Sequence, residues 1–102
     1  MELLTGKAKE DFIKHCKQDA NWLQTYEDIF LNALIIEWFD SVGIYINLGC
    51  ISLNGKPQYD YCIQEDNTLN GMNGHVFNSR HEATIQAIKE SNRIYNERLE
   101  NN

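Results

Sequence analysis

The dipeptide Asn54-Gly55 constrains the fold of this chain more than any other pair of residues. It lies inside IYINLGCISLNGKPQYDYCIQED, and Asn-Gly is the preferred dipeptide of a two-residue type I′ hairpin turn. Such a turn fixes the register of both strands, which predicts one apolar face and one mostly polar face. Cys50 then points into the core. The predicted cross-strand pairs are Leu53 with Lys56, Cys50 with Tyr59, Leu48 with Tyr61, and Ile46 with Ile63.

Two helices are predicted ahead of the hairpin. The first is capped by Thr5 and runs through TGKAKEDFIKHCKQD, where Phe12, Ile13 and Cys16 recur at helical spacing. The second is one continuous helix through WLQTYEDIFLNALIIEWFD. Its apolar stripe is so wide that we expect this helix to be the most buried in the fold. Gly43 follows it and suits a helix end, because a positive φ costs glycine little.

The segment GHVFNSRHEA predicts the start of a last helix. Ser79-Arg80-His81-Glu82 matches the capping box S-x-x-E. The Ser79 hydroxyl should accept a hydrogen bond from the backbone N–H of Glu82, and the Glu82 carboxylate one from the N–H of Ser79. A short third strand is expected just before it, around His75–Phe77.

These elements predict one small α+β domain over residues 1–102. We expect a three-stranded antiparallel sheet with helices packed on one face, in the order α-α-β-β-β-α. No stretch approaches the length and apolarity of a membrane span, and the first residues lack the pattern of a signal peptide.

Charge and cysteine content narrow the classes of function. The net charge is −6, and the whole excess lies between residues 21 and 66. A negative field repels phosphates and favours basic partners, although a solvated, soluble surface is the simpler explanation of the acidic excess. Three cysteines without a CxxC pair argue against a disulfide framework and predict a reducing, cytoplasmic setting.

We predict no catalytic residue, metal site or cofactor. His75 and His81 lack a third metal ligand at suitable spacing, and no base stands near Cys62 in sequence. A small enzyme that uses His75, His81 and Cys62 remains an alternative, and it requires these three side chains to share one pocket.

The polar face of the hairpin supplies a candidate interaction surface. Tyr45 and Ile51 should project away from the helices and form a modest exposed patch with acidic neighbours. A protein partner is therefore expected, and the edge strand at His75–Phe77 could join two copies into a homodimer. The candidate surface consists of Tyr45, Ile51, Asp60, Glu65 and Asp66.

Three stretches, LLTGKAKEDF, WFDSVGIYI and FNSRHEATIQAIKESNRIYNERL, resemble a group of small uncharacterised phage and prophage proteins of Bacteroidetes. Those proteins share a short first helix, a helix ending in an F-D-S-x-G-like turn, a hairpin, and a last helix that opens with Ser/Thr-Arg-x-Glu-Ala. The resemblance covers most of the chain and implies a phage-borne accessory protein in the bacterial cytoplasm. By analogy of lifestyle, such a protein would bind and could inhibit a host or defence protein.

The later elements also look like the α-β-β-β-α order of double-stranded RNA-binding domains. That family holds phosphates with a basic cluster at the start of its last helix. Here Arg80 is followed by Glu82 and by no second cation before Lys89. This departure disfavours nucleic acid as a partner, and a nucleic-acid-binding domain stays the alternative function.

Overall fold

Helices pack against one face of an antiparallel hairpin in the computed structural model. The structure describes residues 3–17, 20–23, 25–65, 68–70 and 76–100. This arrangement confirms the α+β class. Among these residues the elements are α1 (Gly6–Cys16), α2 (Ala20–Leu23), α3 (Asp28–Ser41), β1 (Ile44–Leu53), β2 (Lys56–Glu65), β3 (Thr68–Asn70) and α4 (Arg80–Glu100).

The hairpin register is confirmed along its whole length. β1 and β2 pair from Leu53 opposite Lys56 to Ile44 opposite Glu65, and every pair that the sequence predicted is present. Asn54 and Gly55 both have positive φ values, 54° and 78°, as a type I′ turn requires. Turn chemistry and side-chain alternation favour the same register. A shift of one strand by one residue would lose both the turn and the apolar face.

The third strand lies elsewhere than predicted. Thr68–Asn70 pairs with the end of β2, whereas Phe77 makes a single isolated bridge to Tyr59. In that bridge the two backbone N–H groups donate to the opposite carbonyls at 2.9 and 2.7 Å. His75 lies outside the described residues. The three-stranded sheet is therefore not confirmed in its predicted form, and the two-stranded hairpin is its main body.

The second predicted helix is interrupted, which corrects the continuous helix expected there. The backbone N–H of Thr25 and its hydroxyl both donate to the carbonyl of Trp22, at 3.1 and 2.7 Å. These local bonds compete with helical ones and end α2. Glu27 then has extended backbone angles, φ −65° and ψ 150°, and α3 begins after it.

The core lies between the inner face of the hairpin and three helices. α3 and α4 contact the sheet, and α1 packs mainly against α3 and α4. The Trp38 ring meets the rings of Phe12 and Tyr95 at centroid distances of 5.9 and 5.0 Å, and this cluster joins all three helices. The fully buried large side chains include Leu4, Phe12, Leu23, Ile35, Phe39, Ile44, Ile63 and Ile88.

Cys50 does not point into a core, contrary to expectation. It is exposed, as are Ser52 and Pro57 on the same face, because the turn-proximal part of the hairpin extends past the helices. The register was right, and what failed was the assumption that helices cover its full length. Among the described residues, no helix combines the length and apolarity needed to cross a membrane.

Residues from α4 cap the start of α1. Thr5 occupies the N-cap position but makes no side-chain cap bond, which corrects the role predicted for it. Instead, Asn96 Oδ1 accepts from the backbone N–H of Ala8 at 2.9 Å, and Asn92 Oδ1 accepts from the N–H of Thr5 at 2.9 Å. The amide of Asn92 also donates to the Thr5 hydroxyl at 3.0 Å.

One of the two hydrogen bonds predicted for the capping box of α4 is present, and the other has a different backbone donor. The backbone N–H of Glu82 donates to the Ser79 hydroxyl at 3.1 Å, as predicted. The Glu82 carboxylate accepts from the N–H of Asn78 at 3.3 Å, one residue before the predicted donor. The segment GHVFNSRHEA therefore does contain a helix start.

Candidate functional site

A groove of about 700 Å³ opens between the first halves of α3 and α4. One wall comes from α3, where Ile29, Ala33 and Ile36 recur at three- and four-residue spacing along one side of the helix. The groove is thus mainly apolar with polar groups at its margins. Its lining residues are Glu27, Asp28, Ile29, Asn32, Ala33, Ile36, Arg80, His81 and Thr84.

The wall that α3 supplies is exposed to a degree unusual for apolar residues. Ile29 is 77% exposed, and Ala33, which lies next to it on the groove wall, is exposed as well. The exposure is confined to one side, since α3 buries a larger share of its residues than α1 or α4 does, as the sequence predicted. The other side of α3 does enter the core through Leu31, Ile35 and Phe39 together with Trp38. An apolar surface that no described residue covers marks a contact site more often than does a scattered exposed side chain.

The surroundings of the groove are acidic along α3. Glu27 and Asp28 stand where the helix begins, Glu37 and Asp40 stand on its later turns, and α3 contains no lysine or arginine. Partial burial and the neighbouring Glu37 raise the pKa of Asp40.

The α4 wall of the groove differs in charge. Its first turn carries Arg80 and His81, and Thr84 follows with its hydroxyl donating to the Arg80 carbonyl at 2.7 Å. The Arg80 guanidinium lies 5.3 Å from the centre of the Tyr59 ring, a distance typical of a cation–π contact. Arg80 is thereby held toward the hairpin, so the two walls of the groove are unequal in charge.

A second cavity, of about 220 Å³, borders a neighbouring side of α3. Its lining includes His15, Cys16, Tyr26, Phe30 and Glu37. Burial and the nearby Glu37 carboxylate raise the pKa of the Cys16 thiol. A raised pKa keeps the thiol protonated, which is the reverse of what a nucleophilic cysteine requires.

The residues of the candidate interaction surface fall on two sides of the sheet. Tyr45 and Ile51 are 40% and 42% exposed on the outer face. Asp60 shares that face, and its carboxylate occupies the space that a side chain at Gly49 would need. Glu65 lies on the helix side, where Arg98 donates to it at 2.6 Å. Asp66 lies outside the described residues.

The residues of the alternative enzyme are not assembled in the described structure. Cys62 lies opposite Asn47 on the outer face of the hairpin, whereas His81 is in the first turn of α4 on the helix side. His75 lies outside the described residues. In the described part of the chain, no group of three or more histidine, cysteine or acidic side chains is arranged to hold a metal ion.

Sequence reasoning missed the groove, because its two walls come from segments far apart in the chain. One signal was available. α3 is apolar on nearly all sides, and a helix packed on a single sheet cannot bury every side.

No family model, curated protein or solved structure matches this chain.

Proposed function

We propose that this chain is a non-enzymatic protein-binding module whose contact site is the groove between α3 and α4. One observation supports the proposal above the others: Ile29 is 77% exposed on an apolar wall beside a groove of about 700 Å³. Full burial of an isoleucine side chain is worth about 1.5–3 kcal/mol. A partner that covers Ile29 would therefore gain a favourable contribution to its binding free energy from this contact.

The shape and spacing of the wall favour a helical partner. Residues three and four apart on α3 form a ridge, and an amphipathic helix placed alongside it can insert its own apolar residues between them. The groove is an open one, bounded by two helices, and this suits an elongated segment better than a small enclosed ligand.

Charge complementarity favours a basic partner. Glu27 and Asp28 line the groove and are exposed, and no cation on α3 balances them. A partner helix that carries lysine or arginine beside its apolar stripe would meet these acids. A second copy of α3 would oppose acid with acid, which disfavours self-association through this site.

The setting proposed for this binding is the one that the resemblance implies. A phage or prophage accessory protein of Bacteroidetes would act in the cytoplasm of a bacterial host, and its partner would be a host or defence protein. This part rests on the resemblance alone and is independent of the groove.

The test is selection of a randomised library of helical peptides on the immobilised protein. We expect enrichment of peptides with apolar residues at three- and four-residue spacing and with Lys or Arg beside them. The same selection on Ile29→Asn, which removes an exposed contact without adding charge, should lose these peptides. Ile51→Asn, on the outer face of the hairpin, is the matched control and should retain them.

Calorimetry on one selected peptide then gives the magnitude. Ile29→Asn should weaken binding about tenfold or more, which corresponds to about 1.4 kcal/mol. Raising the salt from about 50 to about 500 mM should weaken binding to the unaltered protein, because screening removes the charge contribution. Enrichment of acidic peptides, or equal binding by Ile29→Asn, would overturn the proposal.

A further inference from the structure

β1 borders the described part of the sheet. β2 pairs with it along one side, and no described strand pairs with it along the other. The ten residues of β1 follow one continuous register without a bulge. An edge strand of this length exposes a row of backbone donors and acceptors.

The backbone groups that face outward on β1 can be identified from the hairpin. On β2, Tyr59 exchanges backbone hydrogen bonds with Phe77, on the side away from β1. Its cross-strand partner Cys50 therefore also points its N–H and C=O away from the hairpin. By alternation, the same holds for Ile46 and Leu48, and the edge is free for pairing at every second residue.

The usual protection of an edge strand is missing from β1. Natural edges carry lysine, proline, bulges or inward-pointing charges that block pairing with another chain. The β1 sequence IYINLGCISL contains no charged residue and no proline, although the whole chain has a net charge of −6. The uncharged strand thus allows two copies to approach at this edge without like charges in register.

We propose that β1 pairs antiparallel with β1 of a second copy, with Leu48 of the two copies on the twofold axis. Any residue of β1 can lie on the axis, because outward-pointing residues then always oppose outward-pointing residues, and only Leu48 lies midway between Tyr45 and Ile51. Centring on Leu48 places Tyr45 of one copy opposite Ile51 of the other, twice in each dimer. Centring on Ile46 or Cys50 leaves one of these two side chains without a partner.

The pairing of Tyr45 with Ile51 favours this register over its neighbours. Both side chains lie on the outer face and are 40% and 42% exposed. Aromatic and β-branched residues opposite one another on neighbouring strands stabilise a sheet by about 0.2–1 kcal/mol per pair. A dimer formed in this way goes beyond the groove, which it neither uses nor requires.

A charge-reversal pair of variants tests this register. In Tyr45→Lys/Ile51→Lys, each lysine at one position would oppose a lysine of the other copy, and we expect dissociation. In Tyr45→Lys/Ile51→Glu, each lysine would oppose a glutamate, and we expect the dimer to return. Within one chain these positions face Gln64 and Gln58 and not each other, so both variants should fold alike.

Sedimentation equilibrium gives the readout. The unaltered chain should rise from 11.9 kDa toward twice that mass as its concentration increases to about 1 mM. We expect the dissociation constant to increase at least tenfold in the double-lysine variant and to recover in the lysine–glutamate variant. The double-lysine variant is also the less negative of the two, so weaker general repulsion works against the expected result. An unaltered chain that remains at 11.9 kDa, or two variants with equal masses, would overturn the proposal.

Discussion

The Tyr95 hydroxyl donates a hydrogen bond to Asp11 Oδ2 at 2.5 Å and thereby joins α4 to α1. Lys7 lies 3.3 Å from the other carboxylate oxygen of Asp11. The hydrogen bond from Tyr95 and the charge of Lys7 lower the pKa of Asp11. Burial, with the Asp11 carboxylate beside it, raises the pKa of Tyr95 to about 12.

The raised pKa of Tyr95 predicts a loss of stability at high pH. The phenol ionises near its ordinary pKa of 10.0 in the unfolded chain but near 12 in the folded one. The unfolded chain thus binds fewer protons between these values, and the free energy of unfolding should fall as the pH rises through them. Urea unfolding from pH 8 upward measures this, and Tyr95→Phe should lose the part of the decline that Tyr95 causes.

The lowered pKa of Asp11 predicts the opposite dependence at low pH. Its contribution to stability should be complete above its ordinary pKa of 3.8 and should be lost as the pH falls below it, because the unfolded chain takes up the proton first. Asp11→Asn should flatten the acid limb of the same urea series and also reduce the alkaline decline, because the Asp11 carboxylate helps to raise the pKa of Tyr95. An unchanged acid limb would contradict the role assigned to Asp11.

Because α4 supplies the cap of α1, a substitution in α4 should lower the unfolding free energy by weakening the start of α1. Asn96→Ala removes the acceptor for the N–H of Ala8, and we expect a loss of about 1–2 kcal/mol in unfolding free energy. Gln86→Ala, exposed on the same helix, should change stability by less than about 0.5 kcal/mol. Equal effects of the two substitutions in chemical denaturation would mean that the cap adds nothing.

The hydroxyl of Ser91 is fully buried and has no hydrogen-bond partner in the described structure. Burial without a partner costs a polar group about 1–3 kcal/mol. Ser91→Ala removes that group with little change of volume, and the unfolding free energy should remain equal or increase by up to about 1 kcal/mol. Ser79→Ala removes a working cap instead and should cost about 1 kcal/mol in the same denaturation experiment.

Two arginines on α4 should differ in importance. Arg98 donates to Glu65 at 2.6 Å and to the carbonyl of Val42 at 2.9 Å, and so connects the helix to the open end of the hairpin, where β2 ends and the chain enters β1. Arg98→Ala should cost about 1–3 kcal/mol in thermal or urea unfolding. Among the described residues, Arg93 forms ion pairs with Glu90 and Glu97 of its own helix, at a surface that solvent reaches, so Arg93→Ala should cost below about 0.5 kcal/mol. A larger loss of stability in Arg93→Ala than in Arg98→Ala would contradict this prediction.

Local chemistry explains what the sequence predicted correctly. The Asn54-Gly55 turn and the alternation beside it act over a few residues, and the register followed in full. The Ser79 cap is equally local. In contrast, the break at Thr25 arises because its hydroxyl bonds to the Trp22 carbonyl in place of continued helical hydrogen bonding. Helix propensity alone does not predict which of the two forms.

The candidate site was less predictable, because it depends on which side of α3 the rest of the chain covers. When a helix has apolar residues on nearly every side, its sequence does not indicate which of those residues stay exposed to solvent. Ile29 and Ile35 are alike in type, yet one is 77% exposed and the other is fully buried. Their difference arises from tertiary packing, because Ile35 enters the core whereas Ile29 lies on one wall of a groove whose other wall comes from α4, some 40 residues later.

The contact of Asn92 and Asn96 with the start of α1 also sets an order of events during translation. A ribosome releases the segment around Thr5 and Ala8 long before it has added the two asparagines, which lie 87 and 88 residues further on. Until then the nascent α1 lacks the acceptors that complete its first turn. We expect the emerging polypeptide to remain open to proteases and chaperones until α4 has left the exit tunnel and closed over it.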